Sequence, residues 1–269
     1  MGIPEESDMT FWDHLDELRK ILFRIFVFVT IISVVLFAYM KDLFDLVILA
    51  PTRPDFFLYE WLNQMNQQMP LLPDFCVGTF QVKLININLS SQFFFHISTS
   101  FWLALVLSMP FVIYQIFLFV RPALYSQERR NAGIAFFFGN LLFYIGIAVG
   151  YLMVFPLTLR FLAGYQLSAY IENSVSLDSY MDNFLMLCFI MGMVFELPIL
   201  SWLLSQIGIL NRGFFTKFRR HAIVVILIIA AFITPSSDPF TLMVVFLPVY
   251  MLWEVSALVV KRKPLESES

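Results

Sequence analysis

The fold is decided where two long apolar runs meet, at the stretch Phe117-Leu118-Phe119-Val120-Arg121-Pro122-Ala123-Leu124-Tyr125-Ser126-Gln127-Glu128-Arg129-Arg130. An apolar run that begins near residue 93 ends there in charge, and a second begins directly afterwards. Pro122 has no backbone donor and restricts the residue before it, so the first helix is expected to end at this loop. Cationic residues concentrate in the short cytoplasmic loops of membrane proteins. Because arginines crowd this stretch, we predict a cytoplasmic corner between two membrane spans.

The composition is that of a membrane protein. Hydrophobic residues make up 59% of the chain and charged residues 14%, and the mean hydropathy is +0.79. A water-soluble domain of this length does not carry such values. The formal net charge of -3 says little about partners, because the basic residues cluster between apolar runs. Cys76 and Cys188 belong to no CxxC or Cys/His spacing, so we expect neither a structural disulfide nor a metal site.

Six membrane crossings are predicted from the apolar runs. About 20 helical residues cross the ~30 Å hydrocarbon core of a bilayer. The predicted crossings are residues 21–40, 93–120, 132–157, 178–209, 222–233 and 240–260. The fifth run would reach only ~18 Å at 1.5 Å per residue. A re-entrant hairpin over the last two runs therefore stays open as an alternative to two short spans.

Both termini are predicted to be cytoplasmic from the distribution of basic residues. All but four of the 17 basic residues fall on the same side as the termini. The four exceptions are Lys41, Arg53, Lys83 and Arg160. This bias follows the concentration of cations in cytoplasmic segments. The chain is thus divided into an amphipathic N-terminal segment (1–20), a single six-helix domain (21–260) with an extracytoplasmic cap (41–92), and a cytoplasmic tail (261–269).

Shorter elements are predicted between the spans. Residues 10–18 are expected to form an amphipathic helix at the membrane interface, with Glu17 on its polar face. Residues 55–68 are expected to form an exposed helix in the cap. Imperfect alternation of apolar and polar residues predicts a strand within residues 81–89. In the third crossing, Gly146 and Gly150 form a GxxxG pair, which favours close packing of another helix.

One acidic residue lies deep in an apolar run. Glu196, in Phe195-Glu196-Leu197-Pro198, lies inside the run of residues 184–204. An ionisable side chain at such depth costs roughly 3 kcal/mol, and burial favours its neutral form. The residue therefore indicates either a hydrogen bond to a neighbouring helix or a polar contact inside a cavity for a substrate, of which we favour the second.

Several enzyme classes are not supported by the sequence. It has no GxxxxGK[ST] and no HExxH motif, and its three histidines lie far apart, so no nucleotide site, metal site or catalytic cluster is predicted. Two interpretations stay open from the residues alone. One is a proton-coupled small-solute transporter using Glu196, and the other is a receptor that binds a polypeptide at its cytoplasmic face. Transporters often contain inverted repeats with paired broken helices, and the sequence has no convincing internal repeat.

A series of short motifs gives the chain a resemblance to a known family. In chain order they are His14-Leu15-Asp16-Glu17-Leu18-Arg19-Lys20, Tyr114-Gln115 with Phe119, Pro122-Ala123-Leu124-Tyr125 with Glu128-Arg129-Arg130, Phe143-Tyr144-Ile145-Gly146, Phe155-Pro156-Leu157, Phe195-Glu196-Leu197-Pro198, and Thr234-Pro235 with Asp238-Pro239. At these topological positions they resemble TatC, the multispanning subunit of the twin-arginine protein translocase.

The resemblance implies both a fold and a function. The fold is an all-α polytopic membrane protein of six helices, cup-shaped, with its last two spans short rather than re-entrant. The implied protein lies in the bacterial cytoplasmic (inner) membrane and receives signal peptides that carry two adjacent arginines. With single-span TatA-type and TatB-type subunits it exports folded proteins, using the proton-motive force. No enzymatic activity, cofactor or nucleic-acid partner is implied.

The resemblance also implies roles for particular residues. The signal-peptide site would contain Glu17, Glu128, Phe119 and Arg19, of which the two glutamates match acids thought to contact the arginine pair. Glu196 matches a buried intramembrane glutamate of the family, and Asp238 matches an aspartate of the extracytoplasmic turn. On local sequence alone Glu128 could instead pair with its own neighbours Arg129 and Arg130.

Overall fold

Helices form most of the described structure. The computed structural model describes residues 11–68, 82–120, 129–168, 170, 173–206, 208–234 and 238–260. Within these ranges, 5 helical stretches are long and apolar enough to cross a membrane. The predicted class, an all-α polytopic membrane protein, is therefore confirmed. The sixth crossing and the orientation of the chain stay predictions.

The first helix runs without a break from the N-terminal segment through the first span. α1 covers Phe11–Leu43, so the segment 10–18, expected as a helix at the interface, is continuous with the crossing that follows it. Neither Gly nor Pro occurs within these bounds, so no residue interrupts the helical hydrogen bonds. α1 ends in a π-helical turn, Phe44–Ile48, and a 3₁₀ turn, Ala50–Thr52.

Three tyrosines hold the turn that follows α1. Their hydroxyl groups donate to backbone carbonyl oxygens, in the pairs Tyr151 to Val47 (2.8 Å), Tyr59 to Pro51 (3.0 Å) and Tyr180 to Ile48. Carbonyl groups at the end of a helix lack partners within that helix. Tyr151 and Tyr180 supply such partners from distant parts of the chain and so fix the turn against the later elements.

α3 packs antiparallel along α1. It covers Ser91–Val120. The rings of Phe28 and Phe111 have centroids 4.3 Å apart, and Phe37 stacks on His96 at 4.1 Å. Because the residue number rises along one helix as it falls along the other, the N-terminal end of α1 and the C-terminal end of α3 lie on the same side.

The third apolar run forms two helices joined by a π-helical turn. The elements are α4, Arg129–Val149, the turn Gly150–Val154, and α5, Phe155–Gly164. The predicted end of this span at residue 157 was therefore wrong, since the helix continues to residue 164. Arg160 lies within α5, where it is buried and its guanidinium lies over the ring of Tyr59, 4.7 Å from the ring centroid. The face of an aromatic ring attracts a cation, so this contact stabilises the buried charge.

The fourth run is divided into α6, Leu177–Phe195, and α7, Leu197–Gln206. α4 packs closely on α6 through glycine. A Cβ atom on Gly146 would lie 2.6 Å from the carbonyl oxygen of Met191, and one on Gly150 would lie 2.9 Å from the Cα of Cys188. Interiors packed this closely leave no room for an added methyl group. The packing role predicted for the GxxxG pair is confirmed.

Three helices follow α7 in the described structure. They are α8, Arg212–Lys217, α9, Arg219–Ile233, and α10, Pro239–Val259. The 15 residues of α9 extend only ~22 Å at 1.5 Å per residue, less than the ~30 Å hydrocarbon core. Asp238 is the N-cap of α10, where its carboxylate accepts a hydrogen bond from the backbone N–H of Thr241 at 2.8 Å. This cap satisfies one of the free donors at the start of a helix.

A small two-stranded sheet lies at the other end of the bundle. β1, Leu84–Ile85, pairs in parallel with β2, Val175–Ser176. The strand predicted within residues 81–89 thus contains two paired residues. α2, Phe57–Gln68, occupies the place of the predicted cap helix, and residues 69–81 lie outside the described part of the chain.

Candidate functional site

Two of the predicted signal-peptide residues lie on α1. Glu17 is half-buried and Arg19 is exposed. Residues two positions apart on an α-helix point about 200° apart, so these side chains lie on nearly opposite sides of α1. The residues that share a shallow surface recess with Arg19 are Asp16, Lys20, Leu22, Phe23 and Phe26. The structure therefore separates Arg19 from Glu17 around the helix.

Phe119 lies at the same end of the bundle as Glu17. It is half-buried near the C-terminus of α3. Measured from the contact of Phe28 with Phe111, Glu17 lies ~16 Å along α1 and Phe119 lies ~12 Å along α3 at 1.5 Å per residue. Because the two helices are antiparallel, both displacements point to the same side. Glu128, the other predicted acid of the site, lies outside the described residues.

Glu196 lies at the break between α6 and α7. Its backbone N–H donates to the carbonyl oxygen of Met193 (3.2 Å), and its own carbonyl oxygen accepts from the N–H of Leu200 (3.0 Å). Pro198 has no N–H to donate to the carbonyl of Val194, four residues earlier, so the regular hydrogen-bond series cannot continue there. The proline two residues beyond Glu196 explains why the helix is interrupted at this point.

The carboxyl group of Glu196 lies against α4 at a glycine. Its Oε2 atom would be 3.2 Å from a Cβ atom on Gly139. Its Oε1 atom is buried and has no hydrogen-bond partner among the described residues. Glycine offers no side chain to pair with a carboxyl group. The interpretation in which Glu196 bonds to a neighbouring helix is therefore not supported at Gly139 of α4. The Oε1 atom can instead accept a hydrogen bond from a group outside α4, α6 and α7.

A second acid in an apolar run, Glu254, is paired within the chain. Its Oε2 atom lies 2.5 Å from Nη2 of Arg219, and its Oε1 atom accepts a hydrogen bond from the Tyr250 hydroxyl at 3.0 Å. The ion pair joins the first residue of α9 to the last turns of α10. The sequence analysis predicted no contact between these two residues. Opposite charges near the two ends of a short hairpin were the available signal.

Metal-dependent chemistry has no support in the described side chains. Within the described ranges, no group of three or more His, Cys, Asp and Glu residues could hold a metal ion. Long apolar helices and an acid buried at a helix break define a polytopic helical membrane protein.

The chain belongs to the TatC family. The family model described as "Sec-independent protein translocase protein (TatC)" matches residues 13–248. A protein of that name from Deinococcus radiodurans is 32% identical over 253 residues, which cover 94% of this chain and 86% of the relative. A chloroplastic TATC protein of Arabidopsis thaliana is 31% identical over 262 residues, or 96% of this chain and 68% of the relative.

Solved structures agree with this family membership. A crystal structure of the twin arginine translocase receptor TatC has a TM-score of 0.71 and 28% identity, covering 91% of this chain and 97% of that chain. A second, in DDM, has a TM-score of 0.73 and 28% identity, covering 92% and 99%. The protein is thus a multi-pass membrane protein of the Sec-independent protein translocase family, and the translocase interpretation is confirmed at that level.

Proposed function

We propose that this protein is the core receptor subunit of a twin-arginine translocase and binds twin-arginine signal peptides at the end of the bundle where α1 begins and α3 ends. The observation that carries the proposal is the position of Glu17 and Phe119 at this common end. Two solved structures that resemble this chain are named as those of the twin arginine translocase receptor TatC. The proposed site is completed by Glu128, and it faces the cytoplasm of a bacterial cell.

The chemistry of arginine recognition suits two carboxylates. A guanidinium group presents a planar fork of donors, which a carboxylate accepts bidentately, whereas a lysine ammonium is a compact point charge. Fully exposed ion pairs contribute only ~1 kcal/mol or less. Glu17 is half-buried, and so is Phe119. Partial removal of water at this end of the bundle strengthens a charge-assisted hydrogen bond and favours arginine over lysine.

Arg19 has a different role in the proposal. Its exposed side chain shares a recess with the phenyl groups of Phe23 and Phe26 and lies around α1 from Glu17. A cation at this position would repel the arginine pair of a bound peptide. We therefore place Arg19 at the margin of the site, where it interacts with an acidic group or with the lipid surface next to the peptide.

Glu196 supports the proposed partnership with single-span subunits of the TatA and TatB type. Its Oε1 atom is buried without a partner among the described residues. A helix that carries a polar side chain within the membrane would pair with it, since an unpaired polar group in hydrocarbon is unfavourable. Such a complex would move folded proteins outward at the expense of the proton-motive force.

Peptide binding to the reconstituted protein tests the receptor proposal. Glu17→Gln and Glu128→Gln are compared with Asp16→Asn, a control that removes a neighbouring negative charge on α1 outside the proposed site. We expect each glutamate variant to weaken binding of a labelled twin-arginine peptide about tenfold, which corresponds to ~1.4 kcal/mol, and the control to bind as the parent does. Equal affinity of the double glutamate variant and the parent would reject the site.

Co-purification tests the proposed partnership separately. The protein, solubilised in mild detergent from cells that produce TatA-type and TatB-type subunits, should retain single-span proteins. Glu196→Ala should retain less of them than Glu254→Ala, because Glu254 is already paired with Arg219 inside the chain. Equal retention by the two variants would exclude Glu196 as a partner contact.

A further inference from the structure

A pocket lies at the end of the bundle opposite to the proposed receptor site. It has a volume of about 430 Å³, which lies within the ~300–1,000 Å³ of small-molecule sites. Residues of α5 and of the first turns of α6 form its walls, and the two short strands border it through Ile85 and Val175. Since α1 begins at one end of the bundle and α6 at the other, the pocket opens on the side that the charge distribution predicts to be extracytoplasmic.

Two buried oxygen atoms in this pocket lack hydrogen-bond partners among the described residues. Thr158 is 2% exposed, and its Oγ1 atom is unpaired. Asn183 donates from Nδ2 to the carbonyl oxygen of Ser179 at 2.6 Å, which leaves its buried Oδ1 atom without a donor. Both residues line the pocket. Buried polar groups in folded proteins nearly always have partners, so these two atoms indicate a ligand or bound water that donates hydrogen bonds.

The rest of the lining identifies the chemistry of that ligand. In the described part of the chain no charged side chain lines the pocket, and its further polar side chains are those of Asn173, Ser174, Ser176, Ser179 and Tyr180. Apolar groups of Phe155, Leu159 and Leu162 form another part of the wall. An ionic ligand would lose its hydration here without gaining a counter-charge. A hydroxyl group both donates and accepts, so it matches Asn183 Oδ1 as an acceptor and the Thr158 hydroxyl in either role.

We propose that this pocket binds a neutral polyhydroxylated group, namely a sugar. Several adjacent hydroxyl groups would satisfy the two unpaired oxygen atoms and bond to the serine hydroxyl groups of the lining, while the apolar carbon face of the sugar ring would pack on Phe155 and Leu159. The same chemistry is available from two sources, the headgroup of a neutral glycolipid and a free saccharide. The proposal is independent of the signal-peptide site at the opposite end of the bundle.

Thermal unfolding in nanodiscs tests the proposal. The protein is placed in phosphatidylcholine nanodiscs under three conditions. The first nanodiscs contain monoglucosyl diacylglycerol, and the second contain diacylglycerol without the sugar. The third contain neither lipid, and methyl glucoside is added to the solution. A ligand that binds only the folded state raises the unfolding temperature, by about 5 °C at a hundredfold excess over its dissociation constant. An increase with the glycolipid alone identifies a lipid headgroup as the source. An increase with methyl glucoside as well identifies the free sugar as sufficient.

Matched variants locate the effect. Thr158→Val keeps the shape of the side chain and removes its hydroxyl group. Thr99→Val is the control, because Thr99 Oγ1 is also buried and has no partner among the described residues, but does not line the pocket. We expect the sugar-dependent increase to fall to less than half in Thr158→Val and to persist in Thr99→Val.

A second pair of variants keeps the test decisive if Thr158→Val does not fold. Asn183→Leu is compared with Asn140→Leu, since Asn140 also donates to the carbonyl four residues earlier and leaves Oδ1 without a partner in the described structure, away from the pocket. The proposal is overturned if neither sugar source raises the unfolding temperature, if diacylglycerol alone gives the same increase, or if the pocket variants respond as fully as their controls.

Discussion

At the scale of single residues, Glu196 combines a helix break with a carboxyl oxygen that has no partner among the described residues. The break follows from Pro198, and the absence of a local partner follows from Gly139, which faces the carboxyl group from α4. A hydrogen-bond acceptor at position 196 can fill this role without carrying a charge. Gln provides a carbonyl acceptor of nearly the same shape, whereas Ala provides none.

We therefore predict that Glu196→Gln keeps most export activity and that Glu196→Ala loses more than half of it. The measurement is the amount of a folded fluorescent reporter, carrying a twin-arginine signal peptide, that reaches the extracytoplasmic side. Leu197→Ala, the next residue on an exposed part of the chain, is the control. If Gln and Ala abolish export equally, the carboxyl group must transfer a proton, and the interpretation as a hydrogen-bond acceptor is wrong.

Gly146 carries a second prediction at this scale. A Cβ atom there would lie 2.6 Å from a backbone oxygen of α6, so Gly146→Ala should push α4 and α6 apart and destabilise the protein by ~1–3 kcal/mol. Gly133 lies on the same helix, and a Cβ atom added to it would meet no described atom within 4 Å, so Gly133→Ala should be neutral or slightly stabilising. Unfolding in denaturant-detergent mixtures measures both. Equal stability of the two variants would contradict the packing described for Gly146.

The sequence predicted the kinds of residue in the candidate site better than their arrangement. Glu196 was identified because a carboxyl group is costly inside an apolar run, and its neighbours on α4 could not be, since that contact depends on tertiary packing. The family resemblance put Arg19 and Glu17 in one site, but the helix puts their side chains on different sides. The Arg219–Glu254 ion pair was not predicted, because no periodic pattern links two residues on different helices.

At the scale of elements, the crossing of α9 and α10 is the feature that most needs a test. α9 has 15 residues and α10 has 21, and the Arg219–Glu254 ion pair joins their far ends. Two short spans place the turn before Asp238 across the membrane from that ion pair, whereas a re-entrant hairpin returns it to the same side.

A reporter inserted after Ser237 distinguishes these topologies. We predict that alkaline phosphatase, which is active only outside the cytoplasm, is active at this position, and that green fluorescent protein exported unfolded is dark there. A fusion after Lys261 is the control and should give the opposite pattern. Activity of the cytoplasmic reporter at Ser237 would support the re-entrant hairpin and contradict two short spans.

Element boundaries were predicted well where hydrophobicity decides them. α3 begins at Ser91 and α10 ends at Val259, each within two residues of the expected bounds. The prediction ended the third crossing at residue 157, whereas α5 continues to Gly164. The contact of Arg160 in α5 with Tyr59 was not predictable, because the two residues lie about a hundred residues apart in the chain. Parallel pairing of β1 with β2 was likewise not predictable, because it depends on how α3 and α6 bring their first residues together.

At the scale of the whole molecule, the two proposed binding sites lie at opposite ends of the antiparallel α1–α3 pair. The end that contains Glu17 and Phe119 is the proposed receptor for a cationic peptide, and the opposite end contains a pocket that no charged side chain of the described residues lines. Charge repulsion and attraction act over about 10 Å at 0.1 M salt. Peptide binding should therefore weaken as salt rises, while sugar binding in the neutral pocket should be nearly independent of salt.

Arginine selectivity of the isolated protein is the most direct test of the proposed receptor function. The affinities of two labelled signal peptides, identical except for Arg-Arg or Lys-Lys, are measured on the protein reconstituted without partner subunits and without a proton gradient. We predict that the Arg-Arg peptide binds at least about tenfold more tightly, a difference of ~1.4 kcal/mol, because only guanidinium groups pair bidentately with the two carboxylates. Equal affinities for the two peptides would contradict the assignment of Glu17 and Glu128 as the receptor for the arginine pair.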